Sequence, residues 1–140
     1  MAAIASFIAP LRAASRAART PSAVLARFDA AFNDGDLAGV MDLFEPGAVM
    51  RLVDGAVIAG DEERLRQAFR QLLAGRPTIE NAVRRVLQSG DTALVLADWT
   101  MTWTSADGMV ERAEGTATQV MARSGDGTSR LKVSNPLGIV

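Results

Sequence analysis

The stretch Thr92–Thr104, near the middle of the chain, constrains the fold more than any other. It is rich in β-branched and aromatic residues, contains no Gly or Pro, and follows the turn dipeptide Gly90-Asp91. This composition predicts one long strand. Because side chains alternate across a strand, one face is apolar throughout, carrying Ala93, Val95, Ala97, Trp99, Met101 and Trp103. The other face turns polar at Asp98, where a buried carboxylate would need a partner.

Composition narrows the classes of function. The 140 residues suit one domain, and 49% hydrophobic with 22% charged residues is typical of a globular rather than a disordered chain. The net charge of −1 gives no general attraction to nucleic acid, so we expect no nucleic-acid partner. The chain has no Cys, His or Tyr. Thiolate catalysis, imidazole catalysis, imidazole metal ligation and tyrosine donors are therefore excluded within a single chain.

The first twenty residues differ from the rest, since they are rich in Ala and Arg and contain no acid. Their apolar run is broken by Ser6 and Pro10 and is too short to span a bilayer, so we expect no membrane partner and a cytoplasmic protein. Residues 1–20 are interpreted as an extension, and residues 21–140 as the domain. An organelle transit peptide and an extra helix or arm that packs on a partner subunit both remain open for the extension.

Helical patterns occupy much of the first half. Thr20-Pro21 predicts a helix start, and Asn33-Asp34-Gly35 predicts its end. Asp36 is the expected cap of a second helix, whose apolar positions would continue to Phe44 before Glu45-Pro46-Gly47 ends it. Two short strands, 48–53 and 56–59, and a third helix opened by acidic residues follow.

The second half reads as strands joined by short turns rich in Gly and Asp, predicted at 78–89, 92–104, 110–122 and 129–134. Helices first and strands later predict an α+β fold with helices on one face of an antiparallel sheet. Strands this long that bend around a helix form a half-open cone, whose inside is a natural pocket.

Several spaced motifs resemble one known family. They are Asn33-Asp34-Gly35-Asp36, Phe44-Glu45-Pro46-Gly47-Ala48-Val49, Gly60 before an acidic helix start, Gly90-Asp91-Thr92-Ala93-Leu94-Val95, and the ending 127–136. Together they resemble the nuclear transport factor 2-like superfamily, in its SnoaL-like, ketosteroid isomerase-like bacterial branch, over about residues 22–136. The resemblance implies a cone-shaped α+β barrel (cystatin-like), with three main N-terminal helices packed on a curved antiparallel sheet. It also implies a homodimer formed through the strands and no cofactor.

Asp98 is the candidate catalytic residue. In an apolar pocket beside Trp99 and Trp103, desolvation would disfavour its charged form and suit it to act as an acid or base. The matching activity would be that of a cofactor-independent isomerase, cyclase or lyase. The alternative is that Asp98 lies on the outer sheet face and pairs with an Arg of a neighbouring strand.

Arg51 departs from the family's catalytic pattern. By the resemblance it falls close to the position of the isomerase base, but an Arg cannot accept a proton. Together with the absence of Tyr, this argues against steroid isomerisation. Epoxide hydrolysis is also disfavoured by the resemblance, because Leu96 stands where epoxide hydrolases of this fold carry an Arg, and Ser134 or Asn135 near where they carry their second acid. Arg51 is interpreted as a group that binds a carboxylate or oxyanion, pairs with Asp98, or is simply solvated.

The expected ligand is an apolar, cyclic small molecule. Trp99, Met101 and Trp103 would form a hydrophobic wall for a flat ring, although such a stripe also suits a core or a dimer interface. Asn81, Gln119 and Asn135 are polar residues on strands that would orient the ligand or remain exposed. No metal motif is present, so no metal site is predicted. The alternative function is a non-catalytic binding or dimerisation module, since this fold hosts both kinds of protein.

Overall fold

The computed structural model describes residues 19–140, so the prediction of an extension at 1–20 falls almost wholly outside the described residues. In this part of the chain the elements are α1 (Pro21–Asn33), α2 (Leu37–Met41), β1 (Phe44–Arg51), β2 (Val57–Ala59), α3 (Glu62–Ala74), β3 (Thr78–Ser89), β4 (Thr92–Thr104), β5 (Val110–Arg123) and β6 (Ser129–Asn135).

The helices begin where their capping residues predict. The Thr20 hydroxyl accepts a hydrogen bond from the Ala23 N–H at 3.1 Å, and Pro21 occupies the first turn of α1. The carboxylates of Asp36 and Asp61 accept from Gly39 N–H and Arg64 N–H in the same way. Local capping chemistry therefore places all three helix starts.

The six strands form one sheet in the order β2-β1-β6-β5-β4-β3. All neighbouring strands are antiparallel except β1 and β6, which are parallel. The long pairing of β4 with β5 runs without a break from Thr92↔Ala122 to Thr104↔Val110. The predicted α+β fold with a curved, largely antiparallel sheet is confirmed, and the parallel β1–β6 pair is the part that the sequence did not indicate.

The prediction that the second helix continues to Phe44 is wrong. That helix ends at Met41, and Phe44 is the first residue of β1. Its main chain lies beside β6, where the Leu131 N–H donates to the Leu43 carbonyl at 2.7 Å, and its ring packs on Phe69. β1 continues through Pro46-Gly47 because the pairing with β6 is irregular there, which tolerates a residue without an N–H.

The core lies between the helices and one face of the sheet, called here the inner face. On β4 this face carries Ala93, Val95, Ala97 and Trp99, all of them buried. Helix α1 contributes Val24, Leu25 and Phe32, and α3 contributes Leu65, Phe69 and Leu73. The opposite, outer face carries Leu94, Leu96 and Asp98 on β4, and these residues are exposed or partly buried.

Helix α1 also covers the free edge of β3. The Asn33 side-chain amide donates to the Ile79 carbonyl at 3.0 Å and accepts from the Ile79 N–H at 2.7 Å. One turn earlier, Asp29 accepts from the Asn81 N–H at 2.9 Å and from the Asn81 side chain at 2.6 Å. At residues 79–81 these side chains take the place of a neighbouring strand, so that this part of the edge is not open to pairing.

Candidate ligand site at the mouth of the cone

Trp99 is the central residue of the candidate site. It is 8% exposed, and its indole N–H donates to the Pro136 carbonyl at 2.8 Å. Its ring lies against the backbone of β5 at Gly115, where an added Cβ atom would be 3.0 Å from the ring. The glycine therefore provides the room in which the indole lies flat across two strands.

Two voids adjoin at this tryptophan. The first, the cone cavity, has a volume of about 100 Å³ and lies between the helices and the inner face, with Phe28, Phe32, Phe69 and Ile79 among its walls. The second, the mouth groove, has a volume of about 740 Å³ and extends from Trp103 to the segment 136–140. Val53, Trp99, Met101 and Pro136 line both voids. The voids are thus neighbours across a shared apolar wall.

The segment 136–140 forms one side of the mouth groove and is tied down by side chains from three strands. Trp99 holds it through the Pro136 carbonyl, and the Asn135 side chain donates to the Gly138 carbonyl at 2.6 Å. Arg51 donates to the main-chain oxygen of Val140. Arg51 was interpreted as a group that binds a carboxylate or oxyanion, pairs with Asp98 or is solvated. In the structure its guanidinium has a main-chain partner in the groove wall, and its role in binding stays a prediction.

Asp98 does not line the cone cavity. Its carboxylate lies on the outer face, 2.8 Å from Arg84 Nε and 2.7 Å from the Thr116 hydroxyl that donates to it, and its side chain is 44% exposed. This is the ion pair stated above as the alternative to a pocket role. Arg84 and Thr116 themselves line the outer rim of the mouth groove, so Asp98 stands behind that rim. Its role as acid or base stays a prediction.

The remaining predicted ligand residues occupy different positions. Trp103 is partly buried and lines the mouth groove, and Asn81 lines the cone cavity while its amide is held by Asp29. Gln119 is buried on the inner face beside Ser134, although it does not line either void. Asn135 lies under the segment 136–140 as one of its anchors. The structure therefore brings the two tryptophans together at the groove and disperses the polar residues around it.

Sequence reasoning did not select Asp29. Burial raises the pKa of Asp29 above its usual value, and hydrogen bonds from Asn81 oppose that rise. The spacing of Asp29 and Asn33 could have indicated this residue, since polar residues four apart lie on the same side of a helix and can contact the same neighbouring strand. A polar pocket of about 410 Å³ lies beside Asp29 and Asn33, and two of its three threonine hydroxyls, those of Thr78 and Thr102, pair with each other across strands at 2.7 Å.

Residues 19–140 hold no group of three His, Cys, Asp or Glu side chains placed to bind a metal ion. Nor does this part of the chain contain a helix of the length and apolar character that crossing a membrane requires.

Comparison with known proteins agrees with this architecture. The sequence model of the SnoaL-like domain matches residues 25–135. No curated protein matches the chain in sequence. Solved structures similar to it include a ketosteroid isomerase-like protein from Erwinia carotovora atroseptica, at 20% identity and a TM-score of 0.73, with 85% of this chain and 93% of that chain covered.

Two further structures share the fold. A nuclear transport factor 2-like superfamily protein from Salmonella enterica serovar Typhimurium is 18% identical, has a TM-score of 0.72, and covers 84% of this chain and 87% of its own. Rv3472 from Mycobacterium tuberculosis, a protein of unknown function, is 20% identical, has a TM-score of 0.71, and covers 81% and 70%. These likenesses concern the fold. Since the family match spans residues 25–135, most of the domain, the chain belongs to the SnoaL-like domain family.

Proposed function

We propose that this chain binds an apolar, cyclic small molecule in the mouth groove, with part of the ligand entering the cone cavity. The observation that carries the proposal is the shared wall of Val53, Trp99, Met101 and Pro136 between the two voids. A ligand that touches this wall can occupy both. Buried aromatic and aliphatic walls with few polar groups are typical of small-molecule sites.

The sizes of the voids decide how such a ligand would lie. Ligand pockets typically measure about 300–1,000 Å³, and an apolar cavity of about 150 Å³ is known to accept benzene. The cone cavity, at about 100 Å³, is smaller than typical ligand pockets and than the cavity that accepts benzene. The mouth groove, at about 740 Å³, lies within the range of ligand pockets. The proposal therefore places most of the ring in the groove, against Trp99 and Trp103.

Binding rather than catalysis is proposed because the charged groups near the groove are already paired. The Asp98 carboxylate is held by Arg84 and Thr116 at the rim, and Arg51 is held by the main chain. The isomerase, cyclase or lyase activity predicted with Asp98 as acid or base gains no support from these contacts.

Indane, a flat apolar bicyclic hydrocarbon, is a suitable probe. Trp99 and Trp103 are the two tryptophans of a chain without tyrosine, so intrinsic fluorescence reports on the proposed site directly. Indane should change this fluorescence saturably and raise the unfolding midpoint, because a ligand that binds only the folded state stabilises it. Trp103→Ala should weaken binding about tenfold, the equivalent of roughly 1.4 kcal/mol.

The matched control is Leu94→Ala, which removes a 41% exposed side chain from the outer face of the same strand. It should leave the affinity for indane unchanged. The proposal fails if indane neither stabilises the wild-type protein nor alters its fluorescence. It also fails if Leu94→Ala weakens binding as much as Trp103→Ala does.

A second proposal concerns the predicted homodimer, and a specific observation favours it. Leu87 and Leu94 lie opposite each other on β3 and β4 and are 55% and 41% exposed. Val120 and Val133 continue this apolar row across β5 and β6. The same outer face carries Arg85 and Glu80 on β3, charges of opposite sign that a second copy related by a two-fold axis would pair.

Sedimentation velocity tests the second proposal. The wild-type protein should sediment as a dimer, and Leu94→Lys should produce monomers, because a charge in the apolar row opposes burial of that row. Val110→Lys, at a 75% exposed position outside the row, serves as the control and should remain dimeric. A monomeric wild-type protein would contradict this proposal without touching the first.

A further inference from the structure

The cone cavity has a buried polar pair in its otherwise apolar surroundings. Gln119 on β5 and Ser134 on β6 are cross-strand partners and are 7% and 6% exposed. Gln119 Nε2 donates to Ser134 Oγ over 3.4 Å, and Ser134 lines the cavity. On the other side of Gln119, its β4 partner is Val95, which is fully buried. A polar pair thus reaches from the core to the cavity wall.

This pair is incompletely hydrogen-bonded. Within residues 19–140, Gln119 Oε1 is buried without a partner. A hydroxyl group has two acceptor sites and one donor. In the described part of the chain, Ser134 Oγ accepts a hydrogen bond from Gln119, and its own O–H has no acceptor there. Buried polar groups without partners are uncommon in folded proteins and call for a specific explanation.

The other polar groups on the cavity wall are committed elsewhere. The Trp99 indole N–H is held by the Pro136 carbonyl. The Asn81 amide donates to Asp29 and is only partly buried. Of the two polar side chains on the cavity wall, Asn81 and Ser134, Ser134 is the more deeply buried. Its hydroxyl hydrogen is not used by any of the hydrogen bonds described above.

We propose that Ser134 is the specificity-determining donor of this site, and that the ligand is an apolar ring carrying an acceptor oxygen such as a ketone carbonyl. The inference rests on the proposed function and deepens it. The carbonyl would enter the cone cavity and accept from the Ser134 O–H, while the ring lies against Trp99. Gln119 is a positioning residue, because its bond to the Ser134 lone pair leaves the O–H for the cavity side.

The test compares indane with 1-indanone, which has the same bicyclic skeleton and one added carbonyl. Wild-type protein should bind 1-indanone about five- to tenfold more tightly than indane, the effect of one net hydrogen bond. Ser134→Ala should lower that ratio to about one or less while the indane affinity stays within about twofold. Calorimetric titration of each variant with both probes gives the ratios.

Ser129→Ala is the matched control. Ser129 is a second buried serine on β6, 5% exposed, whose hydroxyl donates to the Arg19 carbonyl instead of reaching the cavity. It should keep the wild-type ratio. Gln119→Met, which keeps the side-chain length without the amide, should reduce the preference for 1-indanone and leave indane binding intact.

These measurements distinguish the role of Ser134 from the proposed ligand binding itself. Equal wild-type affinities for the two probes, or a full preference retained in Ser134→Ala, would overturn the role of Ser134 and leave the proposed function standing. An unchanged preference in Gln119→Met would overturn the positioning role. If neither probe binds the wild-type protein, the proposed function itself is wrong, and this inference falls with it.

Discussion

Asp98 and Trp99 are neighbours in sequence, yet they face opposite environments. Trp99 is buried on the inner face, where it joins the cone cavity to the mouth groove. Asp98 points to the outer face, where its carboxylate forms an ion pair with Arg84 and accepts a hydrogen bond from the Thr116 hydroxyl. The acidic residue therefore belongs to the sheet surface, whereas the two voids adjoin at the aromatic residue beside it.

The largest effect is expected at Trp99. Trp99→Ala should lower the free energy of unfolding by about 3–5 kcal/mol, because it leaves a void and removes the bond to Pro136. Urea denaturation measures the change. Trp103→Ala, at a partly buried position on the same face, should cost clearly less. A loss below about 1 kcal/mol for Trp99→Ala would show that the inner face does not depend on this ring.

Asp29 is a second partly buried carboxylate, but its partners are the Asn81 N–H and side-chain amide at the edge of β3 instead of an arginine. Burial raises the pKa of Asp29 above 3.8, so the folded state holds its proton more firmly than the unfolded state does. Its contribution to stability is fully present below pH 3.8 and is lost as the pH rises through the folded-state pKa. The stability of wild type minus that of Asp29→Asn should therefore fall from about pH 3 to pH 7.

Asp126 provides a control of opposite sign. Hydrogen bonds from the Thr128 N–H and the Ser124 hydroxyl lower the pKa of Asp126 below its usual value. Its contribution is present above pH 3.8 and is lost as the pH falls through the lowered pKa. The difference between wild type and Asp126→Asn should accordingly grow as the pH rises. Parallel pH profiles for the two variants would contradict the burial argument for Asp29.

The smallest effect is expected at Asp98 itself. Asp98→Asn should change the free energy of unfolding by about 0.2–1 kcal/mol, since ion pairs with exposed partners are screened by water. The Asp98 and Arg84 side chains are 44% and 64% exposed. The effect should shrink further in roughly 1 M salt, where the screening length falls to about 3 Å. A loss above about 2 kcal/mol would place Asp98 in a more demanding role than the surface pair seen here.

Much of the fold could be predicted because local signals agree with the final structure. The caps at Thr20 and Asp36, the acidic start of α3 and the alternation along β4 each depend on residues close together in the chain. Phe44 shows the limit. Its spacing continues a helix, but pairing with β6, nearly ninety residues later, draws it into a strand.

The site was less predictable than the fold, because alternation shows which residues share a face and not which face closes over a cavity. Alternation placed Trp99 and Trp103 on one face, which lines the groove, and left two environments open for Asp98, of which the structure has the outer-face ion pair with Arg84. The groove wall at 136–140 and the pairing of Gln119 with Ser134 arise from contacts between strands. No local pattern in the sequence specifies them.

The most direct test is the crystal structure of the protein with 1-indanone bound. We expect density for the ring against Trp99 at the groove, with the ketone oxygen within hydrogen-bond distance of Ser134 Oγ. Density beside Asp98 and Arg84 on the outer face, with the cavity and groove empty, would contradict this expectation.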